Sequence, residues 1–305
     1  MKNNTSRRVV LQGVIATTIV IGFDPANRVW VTSASASSLF ESLPPLDGVL
    51  YTDNASLATV ADDFGHIVHR QAIAALTRDQ RLLINDERFD YVKGQLVAND
   101  NGGWGYLLEA ASFYTPPAVP NNNVLLTRLN YIRGTEQIED KSYFNFLNRL
   151  APVVATLKSI GVWSYPHPWL NLFVPSSVVE NFVSEVASNL TLADTGQGPI
   201  LLYPVKTNCF QRPLFRVPTE EAIFLFAILR TAAPPEDTVV RQMLTDNRRL
   251  FERDRDLGGY QYPVGAISFD SKDWRQHFRP VWGKLVSAKR RYDPDNLLTP
   301  GQGIF

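Results

Sequence analysis

Apolar positions along this chain change their period several times, and each change marks an element. Leu46-Asp47-Gly48-Val49-Leu50-Tyr51 joins an Asp-Gly turn to a short strand. Leu57, Val60, Ala61 and Phe64 share one helical face, and Gly65 follows as a stop. Ile67-Val68-His69-Arg70 reads as a short strand, and Thr77-Arg78-Asp79-Gln80 as a capping box ahead of Leu82-Leu83-Ile84. From Phe89 the pattern turns extended, over residues 89–98, 107–114 and 124–133. Turn-forming runs, 99–103 (NDNGG) and 116–120 (PPAVP), separate these stretches. In the third, Leu125, Thr127, Leu129 and Tyr131 alternate with Leu126, Arg128, Asn130 and Ile132, which predicts a half-buried antiparallel strand.

Helical spacing returns over 142–160. Phe146, Leu147, Leu150, Val153, Val154 and Leu157 form its stripe, and Pro152 predicts a kink or a split. A short strand over 170–174 precedes a helix opened by Pro175-Ser176-Ser177, with Val178, Val179, Phe182 and Val186 inward. Residues 200–205 and 222–229 read as strands. Residues 238–257 form an amphipathic helix ended by Gly258-Gly259, and 274–292 a second ended by Pro294. With no strand–glycine-loop–helix unit, the order predicts an α+β fold: an antiparallel sheet with helices packed on one face.

The first 36 residues read differently. Ser6-Arg7-Arg8-Val9-Val10-Leu11 sets paired arginines before an apolar stretch, Val14 to Phe23 is too short to span a bilayer, and Ala34-Ser35-Ala36 resembles a cleavage site. The pattern resembles a twin-arginine export signal, which predicts a periplasmic or extracellular product without a stable membrane anchor. Lys plus Arg equals Asp plus Glu at 30 each, so no basic field argues for a nucleic-acid partner. One cysteine, Cys209, excludes an internal disulfide. His66 and His69 lie three apart without further ligands, so no metal site is assigned.

Neither GxGxxG, GxxxxGK[ST] nor GxSxG is present. Two segments stand out. Tyr165-Pro166-His167-Pro168-Trp169-Leu170-Asn171 sets an indole and an amide in a Pro-stiffened approach to a strand. Trp169 could cover a flat ring and Asn171 could hydrogen-bond a heteroatom; a buried Trp beside a turn-capping Asn is the alternative. The tail Thr299-Pro300-Gly301-Gln302-Gly303-Ile304-Phe305 is a Pro-Gly turn ending in apolar residues.

Those segments, with Phe89-Asp90-Tyr91-Val92-Lys93-Gly94, the run His167 to Pro175, Gly198 to Pro204, Asp273-Trp274 with His277-Phe278, and Tyr292-Asp293-Pro294, resemble the cytokinin dehydrogenase family of FAD-linked oxidases from about residue 76 onward. The resemblance implies a flavin domain, a substrate domain that caps it, and oxidative cleavage of N6-isoprenoid adenines at a CH–NH bond. By the same resemblance Trp169 and Asn171 lie by the substrate, Lys93 stands where the family often has a substrate-contacting Glu, and Gln302 lies against the flavin. It divides the chain into a leader (1–36), a remnant of the FAD-binding domain (37–71), a substrate-binding domain (72–285) and a flavin-contacting C-terminal segment (286–305). The family's Arg-Gly-x-Gly-His-Ser segment and its proton-accepting Asp have no counterpart here, because Gln71 is followed almost directly by Leu76. Three readings therefore stand: an FAD-dependent cytokinin dehydrogenase by family, an exported substrate-domain fragment that is inactive alone or pairs with a separate flavin protein, or an oxidase of another amine or alcohol.

Overall fold

The computed structural model describes the backbone of β1 (Thr5–Gln12), β2 (Thr18–Asp24) and β3 (Val29–Ala34) and, with side chains, residues 72–98, 103–298 and 303–305. Helix α1 (72–86) leads into the hairpin β4 (Tyr91–Ala98) and β5 (Trp104–Tyr114). There follow α2 (Asn122–Leu125), β6 (Gln137–Ser142), α3 (Tyr143–Leu147), α4 (Ala151–Ser159), β7 (Leu170–Pro175), α5 (Val179–Ser188) and α6 (Leu192–Thr195). β8 (Ile200–Lys206), β9 (Ala222–Ile228), α7 (Asp237–Asp256), β10 (Tyr260–Gln261), α8 (Ser271–His277) and α9 (Trp282–Tyr292) complete the order. β2 and β3 pair with each other; the other strands form one sheet in the order β10-β7-β9-β8-β4-β5-β1-β6. Every pairing is antiparallel, as the turn-linked pattern predicts.

The sheet's two faces follow from the period of two along each strand. Leu170, Leu172 and Val174 of β7, Phe224, Phe226 and Ile228 of β9, and Ile200 and Leu202 of β8 point into the main core. Ile73, Leu76 and Leu83 of α1 and Val179, Phe182, Val183 and Val186 of α5 meet them there. Phe182 packs edge-on against Phe226 at 5.6 Å. Each such fully buried Phe contributes about 1.5–3 kcal/mol. On the opposite face Phe173, Ile223 and Leu225 gather a smaller cluster with Phe210, Phe215 and Tyr262. β7 and β9 are thus apolar on both sides, which explains their near-continuous hydrophobic runs LNLFVP and AIFLFAI.

α1 is tied down over a glycine. Gln80 Nε2 donates to Leu202 O at 2.6 Å. A Cβ on Gly94 would stand 2.5 Å from that nitrogen and 2.4 Å from that oxygen, so the close approach requires glycine.

Several expectations are corrected. Thr77-Arg78-Asp79-Gln80 does not cap a helix, because α1 is already running by residue 72. Thr77 Oγ1 instead donates to Glu180 Oε1 at 2.9 Å, beside the Arg81–Glu180 ion pair that joins α1 to α5. Residues 124–133 are not a strand. Asn121 caps α2 by accepting from the amides of Asn123 and Val124, and Leu125, Leu126 and Leu129 bury at helical spacing. Asp79 then anchors Asn130 through its backbone amide (2.6 Å) and its side chain (2.9 Å). The alternation was equally compatible with a tight helical turn. Residues 274–292 form two helices, not one, since Pro280 lacks the amide that would carry α8 into α9. The split at Pro152 is as expected, with Pro152 opening α4. The stripe over 146–157, however, buries only Phe146, while Leu147, Leu150 and Val153 are exposed. The backbone of Thr5–Gln12 runs between β5 and β6. Its Val9-Val10-Leu11 run has the composition to complete an open sheet edge. The elements expected over 46–70 lie outside the described residues.

Candidate functional site

The face of the sheet turned away from α1 and α5 carries the candidate residues. Asn171 pairs with Ala227, Ala227 with Leu201, Leu201 with Gln95, and Gln95 with Leu107, so these five side chains form one row across β7, β9, β8, β4 and β5. The row is an apolar floor with amides in it. Phe173, Leu225 and Tyr203 form the next row, and the register beyond Gly94↔Leu202 brings Lys93 beside Tyr203. Lys93 in turn pairs with Glu109. Asn171 and Lys93 therefore share a face, three strand spacings across and two residues along, roughly 16 Å apart.

Trp169 immediately precedes β7 and is 41 % exposed, outside the main core. Its ring lies 6.2 Å from that of His167, which lies 6.5 Å from that of Trp163. Trp169 is thus not the buried indole of the alternative reading. Asn171 is only 5 % exposed, and its Nδ2 has no hydrogen-bond partner. An orphaned buried amide is uncommon and marks a place where something else satisfies it. Its backbone carbonyl accepts from Tyr262 N at 3.0 Å.

Around Lys93 stands a cluster that the sequence reading missed. Glu109 is 5 % exposed and accepts from Arg149 Nε at 3.2 Å, with Lys93 Nζ at 3.9 Å. Arg149 also donates to the Tyr91 hydroxyl at 2.9 Å and lies over the Phe146 ring at 4.3 Å. Burial, assisted by the neighbouring Tyr91 and Tyr262 phenols, pushes the Tyr203 phenol above its ordinary value, so it stays neutral at physiological pH. The Lys93–Glu109 pairing was legible once the 99–103 turn fixed the hairpin register; Arg149, forty residues on, left no local signal.

Gln302 lies outside the described residues. Beyond it the tail docks as expected from its composition: Phe305 stacks on Trp282 of α9 at 5.6 Å, with Lys289 Nζ 5.4 Å from its ring centre. His66 and His69 also lie outside, and among the described residues no three His, Cys, Asp or Glu side chains are grouped to hold a metal. Cys209 is exposed, and its thiol donates to Lys206 O at 2.9 Å.

A pyrophosphate needs free backbone donors, commonly at a helix N-terminus. Here α5 and α7 carry Glu180 and Asp237 in their first turns, Asn121, Ser142 and Asp270 cap α2, α3 and α8 with their own side chains, and α4 and α9 have neither a side-chain cap nor an acidic first turn. What the face offers is a floor for one flat ring system.

Comparison with known proteins fits this geometry. Residues 100–305 match the family described as cytokinin dehydrogenase 1, FAD and cytokinin binding. The chain belongs to this family of FAD-linked oxidoreductases. It is 36 % identical over 223 residues to an uncharacterized oxidoreductase of the fasciation locus of Rhodococcoides fascians, covering 73 % of this chain and 50 % of that protein. It is 33 % identical to cytokinin dehydrogenase 10 of Oryza sativa subsp. japonica (75 % and 49 % covered) and 32 % identical to cytokinin dehydrogenase 2 of Arabidopsis thaliana (75 % and 52 %). The chain thus spans about half the length of these relatives.

Proposed function

We propose that this chain is the substrate-holding half of a cytokinin dehydrogenase-type FAD oxidoreductase. It would take an N6-isoprenoid adenine on the open sheet face. Trp169 serves as a wall for the purine, Asn171 as its hydrogen-bond partner, and the Lys93 cluster bounds the far end of the trough. The observation that carries this reading is the unpartnered Nδ2 of Asn171, set in one row with the apolar floor of Ala227 and Leu201.

The reaction of such an enzyme is oxidation of the CH–NH bond next to the ring, with FAD as the hydride acceptor. FAD is held by the flavin domain of such an enzyme, and a flavin-bearing protein is the partner this reading gives the chain. In that complex Gln302 and the C-terminal segment 286–305 meet the flavin, 72–285 hold the substrate, and 37–71 are a remnant of the flavin domain. The paired arginines Arg7 and Arg8 direct export across the membrane, and replacing both with Lys should abolish it; undiminished export of that variant refutes the role. No described helix is long and apolar enough to cross a bilayer.

The test is titration of the purified chain with isopentenyladenine, read by quenching of Trp169 fluorescence against a Trp169→Phe control. Saturable quenching that weakens at least tenfold in Asn171→Ala supports the reading. Absence of saturable quenching, or equal affinity in Asn171→Ala, refutes it. A parallel titration with FAD should show no stoichiometric binding, and turnover of isopentenyladenine by the chain with FAD alone would refute the requirement for a partner.

A further inference from the structure

The approach to β7 has a peculiarity that follows from its sequence. Pro166 and Pro168 carry no amide proton, so half of the strap from Pro166 to Trp169 lacks backbone donors and its carbonyls and side chains hold it. Each carbonyl has a partner. Pro166 O accepts from Ala232 N at 2.9 Å, His167 O from Trp169 N at 2.8 Å, and Trp169 O from Ala266 N at 2.6 Å. Pro168 O is the exception, because its donor is a side chain: Asn247 Nδ2, from the middle of α7, at 2.9 Å. The same nitrogen donates to Ala266 O at 3.2 Å.

Asn247 is fully buried, and its amide can take only one orientation. Two carbonyls demand the nitrogen, and Arg230 Nε, donating at 2.8 Å, demands the oxygen. Arg230 is itself buried and donates from its Nη1 to Asp194 O, so the assembly runs from α6 through the end of β9 and α7 to both sides of Trp169. Neither Pro168 O nor Ala266 O belongs to the regular sheet ladder. A side chain that grips the backbone before Trp169 and, through Ala266, the carbonyl of Trp169 itself determines where the indole stands.

We propose that Asn247, held in register by Arg230, is a positioning residue that fixes Trp169 against the open sheet face. This rests on the reading of Trp169 as the substrate wall, but its structural content can be tested separately. Asn247→Asp keeps the volume and the contact to Arg230, while placing an acceptor against two carbonyl oxygens. Trp indole NMR signals of the full-length chain report the outcome, with Trp169 assigned from Trp169→Phe. The expected result is a broadened or shifted Trp169 signal and amide exchange at Ala266 at least 100-fold faster. The Trp104 indole, which donates to Leu190 O at 3.1 Å, should be unmoved. Isopentenyladenine affinity should fall about tenfold. A folded Asn247→Asp chain with wild-type Trp169 signal and Ala266 exchange would overturn the proposal. If the Trp169 signal moves in Asn247→Asp but isopentenyladenine leaves it unmoved in the wild-type chain, the positioning role stands and the substrate reading fails. Should Asn247→Asp not fold, the wild-type chain decides: Ala266 must exchange as slowly as the core amides of β9, and exchange at the rate of exposed loops overturns the proposal.

Discussion

Asp254 and His277 make the chain's stability depend on pH in opposite directions, and replacing one should expose the other. Asp254 is fully buried near the end of α7, with neither carboxyl oxygen hydrogen-bonded, and burial raises its pKa well above the ordinary 3.8. His277 is buried among Trp274, Phe278, Phe269 and Tyr260, its Nε2 lacks a partner, and burial, with Arg216 nearby, lowers its pKa from 6.5 to about 4. Above pH 3.8 the unfolded chain releases the Asp254 proton while the folded chain keeps it. Stability is then lost as pH rises, by about 1.4 kcal/mol per pH unit, until the folded pKa is reached. Between about pH 4 and 6.5 the unfolded chain binds a proton at His277 that the folded chain refuses, so stability rises with pH at the same rate. In the wild-type chain these two slopes oppose each other from about pH 4 up to the folded pKa of Asp254. Asn at position 254 cannot ionise. Asp254→Asn should therefore show the His277 slope unopposed, about 1.4 kcal/mol per pH unit between pH 4.5 and 6 or roughly 2 kcal/mol in all. The slope is the diagnostic, because the absolute difference at one pH also contains the burial of the new amide. Urea unfolding of both chains followed by tryptophan fluorescence from pH 4.5 to 8 measures it. Parallel stability curves would refute the reasoning for both groups.

Further expectations concern packing and charge. Gly259→Ala would place a Cβ 2.0–2.1 Å from the Asp254 carboxyl atoms, and should lower the urea unfolding free energy by about 1–3 kcal/mol, with the loss partly restored in the double variant with Asp254→Ala. Glu109→Ala should cost about 3 kcal/mol, since it removes the carboxylate to which Arg149 donates in a place largely shielded from water; a loss below 1 kcal/mol would show that solvent screens the cluster. Removing Phe305 ends its stacking on Trp282 and should reduce stability by about 1 kcal/mol, with a change in Trp282 fluorescence as the local check.

Much of this architecture was legible in the sequence. β4, β5, β7, β8, β9, α5 and α7 fall where period, turn residues and glycine stops put them, because those signals are local and each element satisfies them itself. The placement of Trp169 and Asn171 at the entry to a strand was legible for the same reason: two prolines restrict the backbone whatever surrounds it. Where local signals were ambiguous, the tertiary structure decided. Residues 124–133 alternate well enough for a strand, yet the Asp79 carboxylate, some fifty residues away, takes the Asn130 amide and holds a helical turn instead. The stripe from Leu147 to Val153 reads as a core face and is exposed, since periodicity defines an apolar face without saying what covers it. Charge pairing was even less accessible. Glu109 meets Arg149, and Asn247 grips Pro168 from a helix nearly eighty residues later, through contacts that exist only once the sheet has set its register and the helices have closed over it. The sequence alone determined which residues could serve a flat ligand; only the packed sheet determined that Asn171 keeps an unpartnered amide on the same face as Lys93, because a strand's period of two sorts side chains by face and the order of strands sets the distance between them.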